Sequence, residues 1–600
     1  MRRATVDGTF AVGFAAVAIG ILVARANPAT AYEASLYTAT PTVTWAAFAI
    51  ALAIAVSTAL AYRGRPQAIG IGLGALTTTA IVSLPLIRNY RFSGMGDALT
   101  HLGWTRDIVE GQIAPHELFY PGLHSLASIF HFVGGVPIER GLLLSVVALF
   151  VPFLLFVPLV VRDVTGDELA IGVAAIVSWM VLPINNIATH MGVHTNSNAL
   201  FLAPVVIFAF VAYLRRRATI ERLPFGLSPF SVLIYVTGIT LLLVHPQQML
   251  NVVVLLGAIA GVQFLARRRY DDHPIVEHPT TYAHTVVLGS LFTLWVMSSE
   301  TFRRAVRGLI YGLFVADIGA GAEVDQAESS LTDIGASLGE LFVKLFLEMA
   351  LIALVVGLFV LATWIGRTKL DRETKSFVTY FGLALVPLGG IFLVYILGTP
   401  TMAFRQVGFI FVLVTILAGI AIAQVIGGLS SLVSRPGANA IAAVVLGACL
   451  VLGLMTVFSS PLIYDPNQHV TDEKYSGYES AFDHAAEERP HVGLGYDPYR
   501  YDHGINGVER EGVLSGASAA SGEVNATEFE AGNYSGAYHG TDYYLTITEW
   551  DETREVGVYQ ELDYSEDAIA GVETDPSADK VISNDEFRMY AVDSEPPGES

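Results

Sequence analysis

Hydrophobic runs of about 16 to 24 residues recur along the chain from Phe10 to Phe458, separated by short polar stretches. A helix needs roughly 20 apolar residues to cross a bilayer, where it satisfies its own backbone groups without water. Hydropathy therefore predicts about thirteen transmembrane helices. They fall at 10–25, 43–62, 68–87, 139–161, 168–184, 199–214, 230–247, 250–266, 283–298, 341–364, 377–397, 405–424 and 439–458. The first follows Arg2 and Arg3 and precedes Ala29-Thr30-Ala31, a small-residue step like those cut after signal peptides. Its apolar run exceeds a signal core, which predicts a retained span.

After Phe458 the pattern changes. Thr471 to Arg489 reads as a helix, and alternation over Asp542 to Trp550, Glu555 to Gln560 and Lys580 to Val592 reads as strands. The expected fold is an all-α polytopic membrane protein over 1–458, with a small α/β or mostly β soluble domain over 459–600. Tyrosines at 496, 499, 501, 543 and 544 are expected in the core of that domain, the other reading being sugar stacking. No repeat of fixed period is present.

Charge sharpens the division. Residues 460–600 hold 31 acidic and 7 basic side chains, a net of −24 against −21 for the whole chain. Such a region repels nucleic acid and stays hydrated in concentrated salt. With only five lysines in 600 residues, it implies a salt-loving source. The one cysteine, Cys449, lies inside a predicted span, so no disulfide forms within the chain.

Basic residues cluster at Arg2/Arg3, Arg63/Arg65, Arg162, Arg215 to Arg217, Arg267 to Arg269, Arg367 to Lys375 and Arg435. With thirteen spans all of them fall on one side, which the positive-inside rule makes cytoplasmic. The N-terminus is then expected inside the cell and the acidic domain outside it. The sequons Asn525-Ala-Thr and Asn533-Tyr-Ser sit in that exported region.

The longest loops on the outer side are 88–138 and 299–340. The first reads Gly94-Met-Gly-Asp97-Ala-Leu-Thr-His101, then Trp104, Arg106, Asp107, His116, Glu117, Tyr120-Pro121 and His124. From Asp97 to Val109 the pattern is helical, with Asp97 and His101 one turn apart. Leu102, Trp104 and Ile108 predict that this helix lies along the membrane surface. Asp97 has two readings: an N-cap contributing about 1 kcal/mol, or a general base beside a reacting hydroxyl. The two are compatible.

Asp97-x-x-x-His101, Tyr120-Pro121-x-x-His124 and Arg162-Asp163-x-x-Gly166 together resemble the first outer loop of GT-C glycosyltransferases. These polytopic enzymes take a sugar from a polyprenyl-phosphate carrier at the outer face. The likeness covers about residues 94–166, with a looser match in topology through 458. It implies a GT-C-like membrane domain of the protein-mannosyltransferase kind and, with the acidic tail, a haloarchaeal source. In that superfamily an acidic residue of this loop is the catalytic base or helps to coordinate a metal; Asp97 is the matching position. A divalent cation is compatible with the sequence without being required by it. The adjacent tryptophans by which oligosaccharyltransferases recognise acceptors are absent, and Ala98 replaces the second acid of eukaryotic O-mannosyltransferases. Single-sugar transfer is therefore expected.

Arg405 enters the twelfth span from the outer side, where its planar fork suits either a lipid phosphate or the lipid headgroups. The run Glu300 to Tyr311, with Arg303 and Arg304, forms an amphipathic basic helix that lies on the membrane or grips the donor phosphate. Lys344 and Glu348 are expected to neutralise each other one turn apart. His190 and His194 have a zinc spacing but lack the following Glu, so a polar sugar cavity fits as well. His245 precedes Pro246, which alone explains a helix stop there.

Asp97 and His101 are thus the candidate catalytic pair. Arg405, Arg303 and Arg304 are candidates for the donor phosphate, and Tyr120, His124, Glu117, His190, His194 and His245 for the substrate cavity. A phosphate leaving group needs little protonation, so one carboxylate suffices and an inverting single displacement follows. The expected partners are membrane lipid, a polyprenyl (dolichyl) phosphate-linked sugar, and a glycan, protein or lipid acceptor at the cell surface. A transporter, a lipid-linked-sugar flippase and a surface scaffold are the rival readings; polar residues gathered at the outer rim, without internal repeats, speak against transport.

Overall fold

In the computed structural model a helix occupies each of the thirteen apolar runs. The structure describes residues 2–94, 96–180, 185–216, 223–224, 228–314, 336–484, 486, 489–495, 497–509 and 522–594. Residues 315–335 of the second long loop, Tyr496 and Arg217 lie outside the described residues. Among the described residues, nine helices are long and apolar enough to cross a membrane, from Val6–Ala26 to Arg435–Leu454. Tyr282–Ser298 and Phe302–Phe314 would together make a tenth, bent by 92°. Glu168–Trp179 and Pro229–Val244 are apolar but shorter, and Arg65–Val82 completes the set. The protein is a polytopic helical membrane protein with small sheets near its C-terminus.

Local chemistry fixes where the helices begin. Prolines stand in the first turn at Pro229, Pro246 and Pro400, where a missing N–H costs nothing. Side chains of Asp167, Asp371 and Ser434 accept the free N–H groups of Leu169, Thr374 and Gly437.

The polar connections gather at two ends of the bundle. At one end Arg216 pairs with Asp163 at 2.5 Å, His278 meets Glu373 at 2.9 Å, and Gly64 donates to Glu168 at 3.0 Å. The Arg and Lys clusters of the sequence lie in these connections. At the other end the first outer loop joins the region after Phe458. Phe92–Ser93 pairs antiparallel with His469–Val470. The Arg88 guanidinium grips Glu33 with two bonds of 2.5 and 2.6 Å, and the Tyr90 hydroxyl donates to the same carboxylate. Asn467 donates to the Tyr90 oxygen at 3.1 Å. Glu586 accepts from the Tyr32 backbone at 2.6 Å and from the Thr471 hydroxyl.

Beyond this seam the chain forms the helix Asp472–His484 and a four-stranded sheet. The strand order is His491–Gly493, Tyr543–Thr548, Phe587–Val592, Ala578–Ser583, parallel in the first pair and antiparallel thereafter. Tyr543 and Tyr501 are buried in its core, while Tyr499 is exposed. The expected strand Glu555 to Gln560 is instead a π-helical turn, Thr553–Val558. The reason is a capping box: Thr548 and Asp551 start the helix Glu549–Glu552 directly after the strand, and the turn continues it.

A second expectation also fails. Lys344 pairs with Glu340 at 2.6 Å and reaches the Tyr464 hydroxyl, so it does not neutralise Glu348. Glu348 is buried against the backbone at Gly453, and its Oε2 has no hydrogen-bond partner among the described residues. Either carboxylate lies one turn from Lys344; the one nearer the rim wins because it keeps the ammonium in a wetter place.

Removing one member of a buried ion pair leaves the other uncompensated, at a cost of about 3 kcal/mol or more. Arg88→Ala is therefore expected to lower the melting temperature and to open residues 471–594 to protease. Unchanged melting and digestion would contradict the seam.

Candidate active site at the outer-loop end

The helix Ala98–Val109 starts where the sequence places it, with Asp97 at its N-cap position. Gly96 just before it adopts φ +57°, the left-handed turn that glycine tolerates at no cost. The Asp97 side chain makes no capping bond to its own helix. It pairs instead with Arg500, Nη2 to Oδ1 at 2.6 Å. The other arm of Arg500 donates to the Thr100 hydroxyl at 2.8 Å, and Thr100 lies 3.0 Å from Nδ1 of His503. With Thr100 Oγ1 accepting from Arg500, its own proton is free for His503.

Protein covers this helix. Its residues Leu99, Leu102 and Ile108 are buried, and the helix Asp497–Asn506 covers it. Gly103 meets the carbonyl of His503 so closely that a β-carbon would not fit. Asp107 accepts from the backbone of Val508 and Glu509 at 2.8 and 3.1 Å, and Arg106 donates to the Gly504 carbonyl at 3.1 Å. The apolar stripe that suggests a lipid-facing helix is satisfied by the C-terminal region.

On the inner side of the helix a ring cluster forms. His101 and His124 are both buried and joined Nδ1 to Nε2 at 3.0 Å. Tyr120 lies edge-on to His101 and Trp104, at 6.1 and 6.4 Å, and 5.4 Å from His245. His245 caps the helix Pro246–Arg269 through its Nδ1. His190 and His194 stand at 4.7 Å in an edge-to-face contact, with His194 Nδ1 at 2.8 Å from Ser197 Oγ.

Arg405, in the second turn of Pro400–Leu429, is half-buried and forms no ion pair among the described residues. Its charge reaches Tyr120, His190 and His194. Burial foremost, then the Asp97 carboxylate, pushes the Tyr120 phenol up, while Arg405 pulls it down. Asp97 and Arg405 therefore act on one side chain from opposite signs. Burial and then Arg405 hold His190 down at about 4. His194 is held well below its usual range by burial, His190 and Arg405. His101 is lowered by burial and by His124, His245 and Arg500, and His124 falls to about 4 by burial. His101, His124, His190 and His194 are thus neutral near pH 7 and serve as hydrogen-bonding groups. Beside Arg405, Gln247 accepts from the Tyr395 hydroxyl and donates to Gln406, each at 2.9 Å.

Other predicted site residues lie elsewhere. Glu117 is exposed, and its carboxylate closes the turn Pro115–Glu117 by accepting from Ala114 N at 2.6 Å. Arg303 and Arg304 are exposed on Glu300–Phe314, and Arg303 pairs with Glu300 at 2.6 Å. Arg500, His503, Thr100, Tyr395, Gln247 and Gln406 belong to the site but escape sequence reading. One signal existed for Arg500: it is one of 7 bases in a region with 31 acids.

No three His, Cys, Asp or Glu residues among those described are placed to hold a metal ion. One oxygen of Asp97 is engaged by the Arg500 guanidinium. Between Gly94, His190 and His194 lies a hollow of about 30 Å³, room for one water.

A histidine held neutral by burial makes the folded state lose stability as pH falls, because the unfolded chain takes the proton first. Stability is expected to decline from about pH 6.5 to about 4, where His124 itself titrates in the fold. In a His124→Gln variant the melting temperature should fall less over that interval. An equal slope in both proteins would place the titration elsewhere.

No protein-family model matches the chain, and no curated protein matches by sequence. Among solved structures, it is similar to the Archaeoglobus fulgidus oligosaccharyltransferase tethered with an acceptor peptide containing the NVT sequon. That likeness has a TM-score of 0.47 and 14% identity, over 87% of this chain and 74% of that one. It is also similar to ArnT from Cupriavidus metallidurans bound to undecaprenyl phosphate, with a TM-score of 0.47 and 12% identity, over 88% and 98%. Likeness at this level leaves the chemistry to be argued from the residues themselves.

Proposed function

We propose that this protein is a GT-C glycosyltransferase that moves a sugar from a polyprenyl (dolichyl) phosphate carrier to an acceptor at the outer face of the cell membrane. The observation that carries this reading is the buried cluster of His101, His124, Tyr120 and His245, with Asp97 at the start of the helix that carries His101 and with Gln247, two residues after His245, bonded to Gln406 beside the half-buried Arg405. A carboxylate and a guanidinium with no ion pair among the described residues, set among neutral polar rings beside hydrocarbon, match the two charges that such a transfer needs.

In the proposed reaction the acceptor hydroxyl oxygen attacks the anomeric carbon, and its proton passes to Asp97. The bond from that carbon to the carrier phosphate oxygen breaks, and its electron pair leaves on the phosphate. Arg405 takes up the charge that develops there. One displacement inverts the anomeric centre. Arg500 holds one oxygen of Asp97, which fixes the carboxylate and leaves the other oxygen for the acceptor. His101, tied to His124, lines the site and orients acceptor or sugar as a neutral group. His190, His194, His245 and Tyr120 supply hydrogen bonds to the sugar. The acidic exported region suits a haloarchaeal cell surface in concentrated salt. The basic end is assigned to the cytoplasm by its arginines.

Replacing Asp97 by Asn keeps the shape and removes the base. Surface glycans of cells carrying Asp97→Asn are expected to lose the sugar, with transfer down by at least about a hundredfold and membrane expression intact. Arg405→Ala should weaken both rate and carrier binding. Normal glycans in the Asp97→Asn strain would end the assignment.

A further inference from the structure

Two grooves of similar size open on the sides of the bundle, and their charges differ. One, of about 830 Å³, runs between Thr42–Ala61 and Arg435–Leu454, past Trp45 and Phe48, and no charged residue lines it. The other, of about 870 Å³, opens at the opposite, basic end of the protein. Its walls are Val355, Leu358, Phe359, Ala421 and Val425, from the helices Leu347–Trp364 and Pro400–Leu429. Its rim carries Arg367, Lys369 and Arg435.

None of these three cations forms an ion pair among the described residues, although carboxylates are near. Asp167 lines the same groove, but its carboxylate caps its own helix at Leu169 N. Glu168 is occupied by the Gly64 amide, and Glu373 by His278 and Arg215. A fourth cation, Arg63, stands near enough to Arg435 for its pKa to be lowered by it, after the larger effect of burial. Arg435 also opens the helix Arg435–Leu454, whose first N–H groups add positive charge at the rim. Gly427 and Gly428 leave the backbone bare here, with open space where a side chain would stand.

We infer that this groove is a binding site for an anionic phospholipid of the leaflet at the basic end. Acyl chains lie along the apolar walls, and the phosphodiester sits among Arg367, Lys369 and Arg435. The commitment to a phospholipid rests on charge complementarity joined to a long apolar wall, which a free anion would leave unfilled. The neutral groove of equal size shows that lipid exposure by itself does not gather cations. Nothing in this inference depends on the sugar-transfer reading.

The test uses the full chain purified in a mild detergent, with bound lipids counted and titrated by native mass spectrometry. Phosphatidylglycerol is expected to bind at least tenfold more tightly than phosphatidylcholine. The triple variant Arg367→Gln, Lys369→Gln, Arg435→Gln should lose that preference. Arg268→Gln with Arg269→Gln, at the same end but outside the groove, should keep it. Ala362→Trp, which keeps the three cations and fills the apolar wall, should weaken phosphatidylglycerol binding as well and stands in should the triple variant not fold. Equal binding of the two lipids, an undiminished preference in the triple variant, or displacement of phosphatidylglycerol by millimolar inorganic phosphate would each overturn the inference.

Discussion

Hydrocarbon offers no partner to a charge or a bare backbone group, and that one constraint arranges this protein. The helices satisfy themselves over residues 2–454, and the ionisable groups are driven to two ends. At one end arginines meet acids in short loops. At the other, the groups that short loops cannot satisfy are joined to a folded region arriving from the C-terminus. The bidentate Arg88–Glu33 pair, closed over by Tyr90 and Asn467, is the tightest part of that joint.

The joint explains why the first outer loop keeps a carboxylate poised. Asp97 would be expected to spend its side chain on the helix that it precedes. It does not, because Arg500 reaches it from a helix laid across Ala98–Val109. The same helix delivers His503 to Thr100, so a chain of hydrogen bonds runs from the C-terminal region into the site. The buried rings beyond Asp97 are neutral, and Arg405 forms no ion pair among the described residues. Asp97 is paired with Arg500 and not with Arg405.

The local features were legible in the sequence, and the long-range ones were not. The thirteen runs, the start of the helix after Asp97, the helix near 472–484 and the strand near 543–548 follow from periodicity and capping, which are properties of neighbours. Pairings such as Asp97 with Arg500 span some 400 residues, and periodicity holds no information about them. Lys344 has carboxylates at equal spacing on both sides, and it pairs with the exposed Glu340 and not with the buried Glu348. Leu102, Trp104 and Ile108 read as an apolar face turned to the membrane surface, but pattern alone does not say whether lipid or protein covers such a face. Glu555 to Gln560 alternates like a strand, yet the Thr548–Asp551 cap had already committed the chain to a helical turn. Glu117 was placed in the site by its loop, and a backbone amide three residues away claims it.

The central claim is that Arg405 awaits a lipid phosphate in the space that Asp97 faces. An electron cryo-microscopy reconstruction of the full chain with an added polyprenyl phosphate measures this directly. The account predicts phosphate density against the Arg405 guanidinium, beside Tyr120 and His245, with the prenyl chain leaving sideways between helices. Phosphate density at the basic end instead, or a side chain packed between Arg405 and Tyr120 in the bound state, would contradict it.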